Sequence, residues 1–106
     1  MIKQLSVIDL AQRLQQPNPP VLIDVREPFE YDIAHIPGSH LHVLNDIGIW
    51  SKTIDKSGEY VLICHLGGRS QMACQLLQGM GFSKLANLAG GTDAWAQHVD
   101  PGMRRY

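Results

Sequence analysis

An α/β fold, with a mostly parallel central sheet flanked by helices on both faces, is predicted by three features of this 106-residue sequence. Segments with apolar residues at helical spacing alternate along the chain with short apolar runs that read as strands. Val21-Leu22-Ile23-Asp24-Val25 and Tyr60-Val61-Leu62-Ile63 are nearly continuous apolar runs, as in strands covered on both faces. The second of these passes directly into Cys64-His65-Leu66-Gly67-Gly68-Arg69-Ser70, a glycine-containing loop in front of a helix. Such βαβ units are right-handed, and their ligands bind beyond the carboxyl ends of the strands. Cys64 stands at that end.

Ser6, with Asp9 three residues later, forms a variant capping box with Asp in place of Glu or Gln. Val7, Leu10, Ala11 and Leu14 then follow the spacing of a helix with one buried face, which Pro17-Asn18-Pro19-Pro20 ends. The strand Val21–Val25 leads to a short helix over Glu27–Ala34, with Pro28 tolerated in its first turn, and to the turn His35-Ile36-Pro37-Gly38. Leu41-His42-Val43 is expected as a second, shorter strand, and Leu44–Trp50 as helical. After the turn at Ser57-Gly58 comes the strand Tyr60–Ile63. A helix is expected from Ser70, carrying Ala73, Leu76, Leu77 and Met80 and ending at Gly79 and Gly81. Leu85-Ala86-Asn87-Leu88 is the last strand, Gly90-Gly91 a turn, and Thr92 the expected cap of a final helix bearing Trp95. Met103-Arg104-Arg105-Tyr106 reads as a solvated basic tail. Trp50 and Trp95 are expected to pack in or beside the core. The whole chain, 1–106, is expected to be one domain.

Hydrophobic residues make up 44% of the chain and charged residues 18%, which excludes a disordered polymer. The apolar runs of four or five residues fall far short of the roughly 20 that span a bilayer. Net charge is −1 with no basic stripe, so nucleic-acid binding has no electrostatic support and a membrane partner is not expected. The first residues lack the apolar stretch of a signal peptide, and a cytoplasmic location is the expectation. Two cysteines, Cys64 and Cys74, do not make a disulfide framework, and Cys74 falls more than a turn inside the helix after the loop. Both are read as reduced thiols, Cys74 as a packed small hydrophobe.

The loop is where the chemistry concentrates. Gly67 and Gly68 permit backbone angles that turn successive N–H groups toward one point. The following helix adds the partial positive charge of its N-terminus, and Arg69 adds a permanent cation. Around one sulfur, these conditions favour thiolate over thiol. Cys64 is thus read as a reactive nucleophile.

Four segments, in order, resemble the rhodanese-like domains: Ile23-Asp24-Val25-Arg26-Glu27-Pro28-Phe29-Glu30-Tyr31, His35-Ile36-Pro37-Gly38, the Cys64–Ser70 loop, and Leu88-Ala89-Gly90-Gly91-Thr92-Asp93-Ala94-Trp95. The resemblance runs from about Leu5 to Val99 and implies a rhodanese-like fold and sulfurtransferase activity. Cys64 matches the family's catalytic cysteine, which takes a sulfane sulfur from a donor such as thiosulfate and holds it as a persulfide. A thiophilic acceptor, cyanide or a thiol and including a protein thiol, then removes it. Loop residues His65, Leu66, Gly67, Gly68, Arg69 and Ser70 would bind the substrate, their N–H groups stabilising thiolate and persulfide, with Arg69 attracting an anionic donor and helping to fix the loop. Asp24 and Arg26 would brace the site as an ion or hydrogen-bonded pair. The resemblance implies no cofactor and no metal.

Cys64 to Arg69 is six residues, as in rhodanese-like loops, whereas related phosphatases and arsenate reductases use a loop one residue longer. Sulfur is therefore preferred over phosphate. A non-catalytic binding or sensing module is the alternative from a different class, but such domains usually lack the cysteine that this chain keeps. Ala34 replaces a common Gly before the His-Ile-Pro-Gly turn, and Ser39-His40-Leu41-His42-Val43 departs from the family pattern near the site mouth, where it bears on substrate choice. His40 and His42 share a strand face but lack a third ligand for a metal.

Overall fold

The computed structural model describes all 106 residues, Met1–Tyr106. Five strands, β1 (Lys3–Leu5), β2 (Val21–Asp24), β3 (His40–Leu41), β4 (Glu59–Ile63) and β5 (Lys84–Leu88), form one sheet in the order β1-β5-β4-β2-β3. Every pairing is parallel. Five helices accompany them: α1 (Val7–Arg13), α2 (Pro28–Ile33), α3 (Ile47–Trp50), α4 (Gly68–Gly79) and α5 (Gly91–His98), with a 3-10 turn at Leu44–Asp46. None is long and apolar enough to cross a membrane.

Strand residues alternate between two cores. Ile23, Tyr60, Leu62 and Cys64 face Ala73, Cys74 and Leu77 of α4 together with Ile47 and Trp50 of α3. Leu22, Val61, Ile63, Ala86 and Leu88 face Val7 and Leu10 of α1 and Trp95 of α5. The near-continuous apolar runs follow from this, because each face of a central strand needs its own apolar set. Both tryptophans are buried in these clusters.

Sequence reading and structure part company at several element ends. β1 was not expected; its Lys3 and Gln4 are exposed on an edge strand, so only the pairing of Lys3–Leu5 with Ala86–Leu88 reveals it. The strand expected at Leu41–Val43 is His40–Leu41, because two residues suffice to pair with Ile23 and Asp24. Helix α4 starts at Gly68 rather than Ser70. Thr92 does not cap α5: Gly90, in the left-handed region, is the N-cap, and the buried Thr92 hydroxyl has no hydrogen-bond partner. Ser6 does cap α1, accepting the Asp9 N–H at 3.1 Å.

The order in which successive strands join the sheet reverses between β2 and β4. From β2 the chain moves outward to β3, and from β4 it moves the other way to β5. Such a switch leaves a crevice at the carboxyl ends of the two strands. Arg26 follows β2 there and Cys64 follows β4, with the Val25 N–H donating to the Ile63 carbonyl at 2.9 Å.

Candidate active site around Cys64

Cys64 is 1% exposed and lies at the floor of its loop. Its Sγ accepts from the Gly67 N–H at 3.0 Å and lies 3.2 Å from the Ser70 hydroxyl, which can donate to it. Gly67 adopts φ +109°, in the region that favours glycine, and this lets the chain turn its N–H back onto the sulfur three residues earlier. Gly68 needs no such freedom; its φ is not positive, and a Cβ there would meet nothing within 4 Å. The expectation that both glycines supply unusual angles is corrected to Gly67 alone.

The loop's carbonyls are held elsewhere. The first turn of α5 donates Thr92 N–H to the Cys64 carbonyl at 2.9 Å and Asp93 N–H to the His65 carbonyl at 3.1 Å. With these acceptors occupied, the sulfur faces donors. The backbone at Gly91 approaches so closely that a Cβ would lie 2.3 Å from the Cys64 oxygen and 2.4 Å from that of His65. The Gly90-Gly91 pair, read as a turn in the sequence, is thus the seat of the loop.

Arg69 is braced by Glu30 of α2. Its guanidinium donates to both carboxylate oxygens, at 2.6 and 2.9 Å, and Glu30 is only 5% exposed. The Arg69 hydrogen bonds hold the Glu30 carboxyl at about 2 against the burial that would raise it. Arg69 is pushed up by the same bonds. A carboxyl held low contributes stability fully above its ordinary 4.5, and loses it as pH falls through about 2. The gap in thermal midpoint between wild type and Glu30→Gln is therefore expected to be constant from neutral pH to that range and to shrink toward pH 2; an unchanging gap would contradict the pairing.

Asp24 and Arg26 are both fully buried and paired. Arg26 donates to the Asp24 carboxylate through Nε at 2.9 and 3.0 Å and through Nη2 at 2.7 Å, and it also reaches the Ala34 carbonyl at 2.8 Å. Burial opposes its charge, yet the bonds to Asp24 and Tyr106 raise its pKa overall.

The tail is not a solvated end. Tyr106 accepts from Arg26 at 2.8 Å, donates to Glu30 at 2.7 Å, and stacks on the His65 ring with centroids 4.1 Å apart. Arg105 pairs with Asp93 at 3.0 Å. Leu66 points out of the loop, 66% exposed. His42 stacks on Trp50, and burial followed by the neighbouring His40 lowers its pKa. Cys74 is fully buried in the α4 core, where burial pushes its thiol up to about 12.

Three residues of this arrangement escaped the sequence reading. Glu30 lies inside the segment Ile23–Tyr31 but carries no local sign that it meets Arg69. Asn87 is a polar residue in the apolar run Leu85–Leu88; that was a visible signal, and its side chain bonds Ser70, Gly67 and Gln4. Tyr106 had none. A cavity of about 780 Å³ lies at the opposite end of the strands, lined by Lys3, Arg13, Glu59 and Lys84 among others. Its lining contains no cysteine.

The model of the rhodanese-like domain matches residues 6–98. A protein of Allochromatium vinosum named sulfurtransferase is 34% identical over 101 residues, spanning 95% of this chain and 94% of that protein. The Arabidopsis thaliana chloroplastic rhodanese-like/PpiC domain-containing protein 12 is 34% identical over 99% of this chain, which spans only 38% of that longer protein. A solved rhodanese-like domain protein from Staphylococcus aureus superposes with a TM-score of 0.86 at 26% identity, covering 99% of each chain.

Proposed function

The chain belongs to the rhodanese-like domain family, and from that premise we propose that residues 1–106 act as one sulfurtransferase domain that carries a sulfane sulfur on Cys64. The observation that carries the reading is the pair of donors on Cys64 Sγ, the Gly67 N–H and the Ser70 hydroxyl. Hydrogen bonds of this kind favour an anionic sulfur.

The Cys64 thiolate attacks the outer sulfur of a donor such as thiosulfate. A new S–S bond forms, the donor's S–S bond breaks, and sulfite leaves with the electron pair. Cyanide or a thiolate then attacks the outer sulfur of the Cys64 persulfide and restores the Cys64 thiolate. Each half-reaction conserves charge and needs no cofactor, metal or external oxidant. The loop from His65 to Ser70 lines the path, and Arg69, held by Glu30, fixes its shape. Two free thiols accord with a reducing compartment, the cytoplasm.

The experiment is steady-state kinetics with thiosulfate and cyanide. Parallel double-reciprocal lines are expected for wild type, with no thiocyanate from Cys64→Ser. Phosphate release from an aryl phosphate that depends on Cys64, with no thiocyanate formed, would overturn the proposal in favour of a phosphatase.

A further inference from the structure

Asn87 stands on β5 beside the loop, 3% exposed, and the mechanism above gives it no part. Its Nδ2 donates to the Gly67 carbonyl at 3.1 Å and to Gln4 Oε1 at 2.9 Å, and its Oδ1 accepts from the Ser70 hydroxyl at 2.5 Å. A carbonyl only accepts, so the amide nitrogen must face Gly67 and the amide oxygen must face Ser70. Ser70 Oγ also lies 3.2 Å from Cys64 Sγ. A hydroxyl has one proton, and two acceptors compete for it.

We propose that Asn87 is a positioning residue that sets how readily Cys64 ionises, by competing with its sulfur for the Ser70 proton. The proposal rests on the reading of Cys64 as the nucleophile. While Cys64 is a thiol, its S–H donates to Ser70 Oγ and the Ser70 O–H donates to Asn87 Oδ1. When Cys64 ionises, Ser70 turns its proton to the sulfur, and a buried amide oxygen is left without a donor. An unpaired buried acceptor opposes that state. The Gly67 N–H donates to the sulfur independently of this exchange, at 3.0 Å. Restraint of this kind has a chemical use, because the intrinsic nucleophilicity of a thiolate falls as its parent thiol becomes more acidic.

The test is the pH profile of Cys64 alkylation by iodoacetamide, followed by intact mass in a Cys74→Ala background so that only Cys64 can react. Asn87→Ala removes the competing acceptor, and the profile's midpoint is expected to fall by about one pH unit, a tenfold gain in thiolate at a given pH. Asn87→Asp keeps an acceptor that competes harder, and its midpoint is expected to rise. An Asn87→Ala midpoint at or above that of wild type overturns the proposal; the aspartate charge raises the midpoint by itself, so only the part of the Asn87→Asp rise that disappears in the Ser70→Ala background counts for it. Should Asn87→Ala not fold, the Ser70→Ala background decides: the rise with Asn87→Asp is smaller there, and an equal rise overturns the proposal. Sulfur loading from thiosulfate, measured in parallel on wild type, separates the two claims. A loaded wild type with no fall in the Asn87→Ala midpoint sinks the Asn87 proposal alone, and an unloaded wild type with that fall sinks the sulfur-transfer reading alone.

Discussion

Gly91→Ala is expected to destabilise the domain by at least about 3 kcal/mol and to abolish sulfur loading with it. The added methyl would sit 2.3 Å from the Cys64 oxygen and 2.4 Å from the His65 oxygen, both backbone atoms that no rotamer change can move. Relief requires α5 to lift off the loop, which breaks the Thr92–Cys64 and Asp93–His65 hydrogen bonds. The φ of +59° adds strain for any residue with a Cβ. On a domain of this size the loss lowers the thermal midpoint by more than about 10 °C. Gly48→Ala is the control, since its Cβ would meet nothing within 4 Å and its midpoint should hold or rise. An intact midpoint and normal sulfur loading in Gly91→Ala would refute the seating of the loop on α5.

Arg26→Met is expected to cost about 3–5 kcal/mol, because it strands the Asp24 carboxylate in a fully buried position. Arg26→Lys should recover little of this: one ammonium cannot reproduce the contacts to both Asp24 oxygens, the Ala34 carbonyl and Tyr106. The double variant Asp24→Leu/Arg26→Met removes both charges and should be less destabilised than Arg26→Met alone. Urea denaturation of the three proteins measures the order. If the double variant were the least stable, the pair would be contributing net stabilisation beyond mutual neutralisation.

How much could be read in advance follows from which interactions are local. Strands β2 and β4 were legible because burial on both faces forces continuous apolar runs, and α1 because Ser6 caps within its own turn. Cys64 was legible because the strand, glycines and Arg69 are contiguous, and the rhodanese-like resemblance and the parallel sheet are both borne out. Contacts across the fold left no such trace. Glu30 meets Arg69 across 39 residues of sequence, Tyr106 meets Arg26 across 80, and Asn87 meets Gln4 across 83. β1 was missed for the same reason, since its existence depends on β5 rather than on its own polar residues. Thr92 was misassigned because hydroxyl residues often cap helices, whereas here the helix already starts at Gly91 behind Gly90, and the Thr92 N–H donates to the Cys64 carbonyl.

The Cys64–Ser70 loop as a cradle for one sulfur atom is tested most directly by the intact mass of the protein after thiosulfate treatment and removal of excess donor. Wild type is expected to gain the mass of one sulfur atom and to lose it on addition of cyanide, while Cys64→Ser gains nothing. A wild type that stays at its original mass, or a Cys64→Ser protein that gains the same sulfur, would contradict the account.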